Sequence, residues 1–183
     1  MLQLKIIKTK IEDLYILESE IFADDRGSFS RLYCHDILKD IVPKPIAQIN
    51  LSFTAKTGTV RGLHMQTAPH QEIKIIKCLS GSVFDVAVDM REGSESFLQW
   101  NSVTLAANDN RAYLIPEGFA HGFQALKDNT QLLYLHTNYY SKNDEFGFLF
   151  NDPVIGINWP LKPKGLSERD KAHSVINKNF KGF

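Results

Sequence analysis

Four side chains in this 183-residue chain have the types and spacing that proton transfer at carbon requires: His64, Lys74, Asp85 and Tyr134. An imidazole takes up a proton near neutral pH, a carboxylate orients it, and an ammonium stabilises an enolate oxygen. His64 lies in "VRGLHMQ". Alternation there puts Val60, Gly62, His64 and Gln66 on one face, and Gly62 leaves room beside the ring. Lys74 follows on what should be the next strand and Asp85 on the strand after it, so antiparallel neighbours would gather the three. Tyr134, in "QLLYLHTNYY", shares a face with Leu132 and His136. A phenol can protonate a carbanion from the side opposite the base, and base and acid on opposite faces of one carbon give inversion. Blander roles compete: a hydrogen-bonded core histidine for His64, and a core aromatic with a satisfied hydroxyl for Tyr134.

The elements that must position these groups repeat with a period of two. "LQLKII", "AQINLSF", "RAYLIP" and "QLLYLHTNYY" read as strands. "GSVFDVAVDMR" sets Val83, Asp85, Ala87 and Asp89 against Phe84, Val86, Val88 and Met90. Turn residues punctuate them at "DDRGS", "LSGS", "REGSES", "AANDN" and "KDN", which predicts a β-sandwich or barrel. Helical spacing is confined to "CHDILKDIV" and to "LSERDKAHSVI", where Ser167 and Asp170 stand as a capping pair. The length suits one domain over residues 1–183.

Composition narrows the function classes. Lys plus Arg and Asp plus Glu both number 21, so no basic field favours nucleic acid. No run approaches the roughly 18 apolar residues of a membrane span, and the N-terminus has no signal-peptide pattern. The two cysteines, Cys34 and Cys78, form no disulfide framework, which points to a reducing, cytoplasmic setting.

"LIPEGFAHGF" carries Pro116, Gly118 and His121 in a P-x-G-x-x-H pattern that resembles the second motif of the cupin superfamily. The first cupin motif, which supplies metal ligands, is degenerate: Lys74 stands in the place of its glutamate and Ala68 in that of a histidine. A cation in a ligand position argues against a divalent metal. His70 and Glu72 lie nearby, so a rearranged site stays an alternative.

"DDRGSF", "QIN", "VRGLHMQ", "SVFDVAVDMR", "IPEGFAHGF", "TNYYSKNDEFGF", "INWP" and "LSERD", in this order, resemble the dTDP-4-dehydrorhamnose 3,5-epimerase family over nearly the whole chain. The resemblance implies an all-β, cupin-like double-stranded β-helix (jelly roll) with a few short peripheral helices. It implies a homodimer that needs no cofactor and no metal and that takes a nucleotide-diphosphate sugar. It also implies roles. His64 is similar to the family's base, Asp170 to its orienting carboxylate, Lys74 to its enolate stabiliser and Tyr134 to its proton donor. Asp85 stays open as the alternative partner of His64. Arg61 and His121 resemble sugar or diphosphate contacts. Arg26, Gln48, Asn50, Glu145 and Arg169 resemble nucleotide or substrate contacts, and Tyr140 a residue that stacks on the base. Some family contacts come from the partner subunit. Arg31 stands where the family often has a glutamate, and "TAPHQEIK" departs from the family's commoner wording. These differences leave open a single-centre epimerase or another nucleotide sugar. A metal-dependent cupin enzyme and a non-catalytic sugar-binding jelly roll are the further alternatives.

Overall fold

The computed structural model describes residues 3–183, so Leu2, the first residue of the "LQLKII" segment, lies outside the described residues. Its strands form two antiparallel sheets and a hairpin. One sheet runs β1 (Leu4–Lys8), β2 (Tyr15–Ser19), β10 (Arg111–Ile115), β7 (Lys74–Ser80), β12 (Thr130–His136) and β5 (Gln48–Thr54). The other runs β13 (Glu145–Gly147), β6 (Val60–Gln66), β11 (Phe119–Ala125), β8 (Ser82–Asp89) and β9 (Trp100–Ala106). The hairpin is β3 (Ile21–Asp24) with β4 (Gly27–Ser30). This is a double-sheet jelly roll, and among the described residues no ladder joins the two sheets into a closed barrel.

Alternation decides what each sheet buries. Val83 and Ala87 of β8 point inward against Ile76, Cys78, Tyr113 and Leu132 of the opposing sheet. Val86 and Val88 point outward and are covered by the C-terminal segment through Phe148, Ile155, Ile157, Trp159 and Phe180. On the first sheet, Ile73, Ile75, Leu114 and Leu135 are covered by Leu38 and Val42. Both sheets are thus apolar on both faces, and the polar residues that remain on an inner face stand out.

The helices are short. The "CHDILKDIV" segment contributes α1 (His35–Leu38), which continues only as turns. α2 (Glu168–Ala172) begins at Ser167, whose Oγ accepts the Asp170 N–H at 3.0 Å.

Candidate active site

A cavity of about 340 Å³ opens between the sheets, within the range usual for a small-molecule site. β6 and β11 form one wall and β5, β7 and β12 the other.

On the first wall, His64 Nε2 lies 2.7 Å from Asp170 Oδ1. Burial works to raise the Asp170 pKa, but the bond with His64 and its charge outweigh it and hold the carboxyl below the usual range. An ionised carboxylate only accepts, so in the neutral ring Nε2 carries the proton and the lone pair sits on Nδ1. The ring is about one quarter exposed while Asp170 is buried, which leaves the base open to the cavity and its orienter behind it. Arg169 Nη2 approaches His64 Nε2 to 3.0 Å, and its Nη1 donates to Glu145 Oε2 at 2.8 Å. The Tyr140 hydroxyl donates to that same Glu145 oxygen at 2.9 Å.

Arg61 and His64 are three residues apart and would face opposite ways on a regular strand. They line the same cavity because the pairing of β6 with β11 slips between His121↔His64 and Phe123↔Arg61. The slip centres on Gly62, at φ +115°, where a Cβ would stand 2.6 Å from Gly122 Cα and 2.7 Å from the His121 carbonyl oxygen. Gly62 therefore makes room for the backbone of β11, not for the His64 ring.

On the second wall, the Tyr134 hydroxyl is 3.2 Å from Ser52 Oγ. Burial, with the charge of Asp85, pushes the Tyr134 pKa well up, so the phenol stays protonated. Lys74 is buried, 3.4 Å from Glu72 Oε1 and 3.4 Å from the His64 carbonyl oxygen.

The grouping of His64, Lys74 and Asp85 on successive neighbouring strands is corrected. β6 and β7 belong to opposite sheets, and β11 separates β6 from β8. Asp85 is fully buried and its Oδ1 pairs with His121 Nε2 at 2.7 Å, so it is not the neighbour of His64. Asn50, Arg61, His64, Lys74, His121, Tyr134, Tyr140, Glu145 and Arg169 all line the cavity, with Asp170 just behind. Gln48 and Arg26 do not. Gln48 Nε2 donates to the Asn138 carbonyl at 2.9 Å and ties β5 to the segment leading to Tyr140. Arg26 sits in the β3–β4 turn, paired with Asp24 at 2.6 Å. Arg31 follows the same hairpin and is not part of the lining.

Several residues escaped sequence reasoning. Ser52 is one. His173 is another: its ring occupies the space a Cβ on Gly147 would need, and it meets the His64 ring edge-on at 5.9 Å. Its buried Nε2 makes no hydrogen bond and lies 3.9 Å from Asp170 Oδ1, and burial together with the charge of His64 holds its pKa down. His64, Asp170 and His173 are the group of potential metal ligands found among the described residues, whereas His70 is bound to Asp144 at 2.8 Å. His136, on the face of Tyr134, and Glu72 complete the second wall.

Known proteins share this architecture. The dTDP-4-dehydrorhamnose 3,5-epimerase family profile matches residues 8–178. The chain is 40% identical to the dTDP-4-dehydrorhamnose 3,5-epimerase of Salmonella typhimurium, over 94% of this chain and 95% of that one. A dTDP-6-deoxy-D-glucose-3,5-epimerase of Legionella pneumophila, solved with dTDP-4-keto-L-rhamnose, superposes with a TM-score of 0.89 at 37% identity, covering 94% of this chain and 93% of that one. The Bacillus anthracis dTDP-4-dehydrorhamnose 3,5-epimerase, solved with TDP and PPi, gives 0.91 at 38% identity, covering 95% of this chain and all of that one. The chain therefore belongs to the dTDP-4-dehydrorhamnose 3,5-epimerase family.

Proposed function

We propose that the protein epimerises a dTDP-linked 4-keto-6-deoxyglucose at C3 and C5 to give dTDP-4-dehydrorhamnose. The carrying observation is that a carboxylate-oriented imidazole and a protonated phenol stand on opposite walls of one cavity, with a buried ammonium between the sheets. The 4-keto group acidifies the hydrogens on both neighbouring carbons. His64 Nδ1 takes one of them, and Asp170 steadies the imidazolium. The Lys74 ammonium stabilises the enolate oxygen. Tyr134 returns a proton from the other wall, and the carbon inverts. Solvent then takes the proton from the His64 imidazolium and restores the one that Tyr134 gave, and the second carbon reacts in the same way. Each inversion removes one proton and adds one, so the scheme calls for no redox or metal cofactor.

Arg61, His121, Asn50 and Arg169 offer donors to the sugar and diphosphate, and an arginine fork suits phosphate oxygens. Tyr140 offers a face to the base. Incubation with dTDP-4-keto-6-deoxyglucose in deuterated water tests the reading. NMR should show deuterium at both C3 and C5, and a reductase should trap an L-rhamno product. Deuterium at one carbon only would make it a single-centre epimerase, and none at either would refute the reading.

The working unit in this proposal is a homodimer in the cytoplasm. β5 is an edge strand whose outward residues Ile49, Leu51 and Phe53 are 62%, 60% and 51% exposed. Phe22 and Phe29 of the β3–β4 hairpin are exposed as well. The same hairpin carries Arg26, away from its own chain's cavity, and a partner's hairpin would supply it in trans. Ile49→Asp should turn the dimer into a monomer in sedimentation velocity and lower turnover with it. A monomeric wild type with full activity would refute this arrangement.

A further inference from the structure

The scheme above leaves two largely buried titratable groups of the cavity lining without a role. Glu72 and His136 lie on the same wall as Lys74 and Tyr134, and their side chains are only 7% and 12% exposed. Glu72 Oε2 meets His136 Nδ1 at 2.8 Å, while Oε1 of the same carboxylate lies 3.4 Å from Lys74 Nζ. The His136 ring is stacked on Tyr134, with centroids 5.9 Å apart and planes at 15°. Strand register sets this up: His136 pairs with Lys74 across β12 and β7 and lies two residues beyond Tyr134 on the same face. Burial works to raise the Glu72 pKa, but the bonds and charges of His136 and Lys74 outweigh it and keep the carboxylate ionised. Core packing alone does not call for a carboxylate, an imidazole and an ammonium here, because burying three polar heads is costly and is offset only by their pairing with one another.

We infer that Glu72 and His136 are positioning residues for the proton-returning wall: one carboxylate aims the Lys74 ammonium with one oxygen and, with the other, fixes the ring that holds the Tyr134 phenol in line. The inference rests on the epimerase reading. It goes beyond it in giving the two halves of the reaction separate supports. Asp170 serves the base, and Glu72 with His136 serves the enolate stabiliser and the donor.

The two residues leave different signatures. Glu72→Gln keeps the shape and still accepts from His136, but its amide turns a donor toward Lys74. Enolate formation should fall, lowering deuterium exchange and inversion together by about tenfold in kcat. His136→Asn keeps a donor for Glu72 but removes the ring from Tyr134. Inversion should fall by about tenfold or more while exchange falls less, so recovered substrate carries deuterium without having inverted. KM should stay within about twofold in both, because neither residue is assigned a ligand contact. The double variant should lose less than the product of the single losses. Thermal melts establish folding, and if one variant fails to fold the other carries the test. Folded variants whose exchange and inversion both stay within about twofold of wild type would overturn the inference. So would equal loss of exchange and inversion in His136→Asn. A wild type that exchanges no deuterium would instead remove the epimerase reading on which the inference stands.

Discussion

Replacing Asp170 with Asn gives the sharpest test of the base. The carboxylate is 3% exposed and makes a 2.7 Å bond to His64 Nε2. Bonds to a charged, desolvated partner contribute about 1.5–3 kcal/mol. Asn has nearly the same shape but no charge, so it can neither steady an imidazolium nor hold the tautomer as firmly. If that whole contribution is felt when the imidazolium forms, kcat/KM falls by about 10-fold to 150-fold. The assay is kcat/KM on dTDP-4-keto-6-deoxyglucose together with deuterium exchange at C3 and C5. Both should drop in proportion, because abstraction precedes either outcome. Ser167→Ala is the control. It removes the cap that receives the Asp170 N–H, at a cost of about 1 kcal/mol in stability, and leaves the carboxylate untouched. Its activity should stay within about threefold of wild type. If Asp170→Asn folds and keeps kcat/KM within that margin, Asp170 is a helix-start residue and nothing more. If Ser167→Ala costs as much activity as Asp170→Asn, the carboxylate acts only through the placement of α2.

Three further outcomes are expected. Tyr134→Phe leaves the ring but removes the proton, and should slow inversion by about 10²-fold or more while slowing exchange less; equal loss of both, read by NMR, would make the residue merely structural. Gly62→Ala should destabilise the fold by at least about 2 kcal/mol in urea melts, because its Cβ would meet the Gly122 backbone at a positive φ; wild-type stability would refute the account of the slipped register. Asp89 has its pKa held low against its burial by Arg91, Ser94 and Ser96, so its stabilisation is full above the unfolded carboxylate value and lost as pH falls through the lower folded one. Asp89→Asn should therefore lower Tm at neutral pH and flatten its decline below about pH 4; an unchanged acid limb would refute that assignment.

What could be read from the chain, and what could not, follows from the range of the interactions. Period-two alternation is local, and it correctly separates Asp85 and Ala87 from Val86 and Val88. It cannot say which strand is a neighbour. Counting strands in order made Lys74 adjacent to His64, but a jelly roll alternates strands between sheets, so the two residues face each other instead. The slip at Gly62 was equally hidden, since its cause is the backbone of β11, some sixty residues further along. The contact of Asp170 with His64 spans 106 residues, and only the resemblance pointed to it. His173 carries no pattern of its own; its place depends on Gly147, which pairs with His64 across β13 and β6.

In the proposed scheme the fold also bears on why inversion, and not mere exchange, should be the outcome. Two sheets packed face to face are separated by about 10 Å, the thickness of one layer of interleaved side chains. Where that layer is interrupted by a cavity, a sugar ring lying between the sheets presents one face to each. The wall built on β6 and β11 carries imidazoles, each backed by a buried carboxylate: His64 by Asp170 and His121 by Asp85. The wall built on β5, β7 and β12 carries the phenol and the ammonium. A proton lost to the first wall and regained from the second must change the configuration of the carbon between them. Rotating the ring within the same cavity would offer the second acidic carbon to the same base. Stereochemistry is then a property of sheet pairing, and a change that moves the donor to the base's wall would turn an epimerase into a catalyst of hydrogen exchange alone.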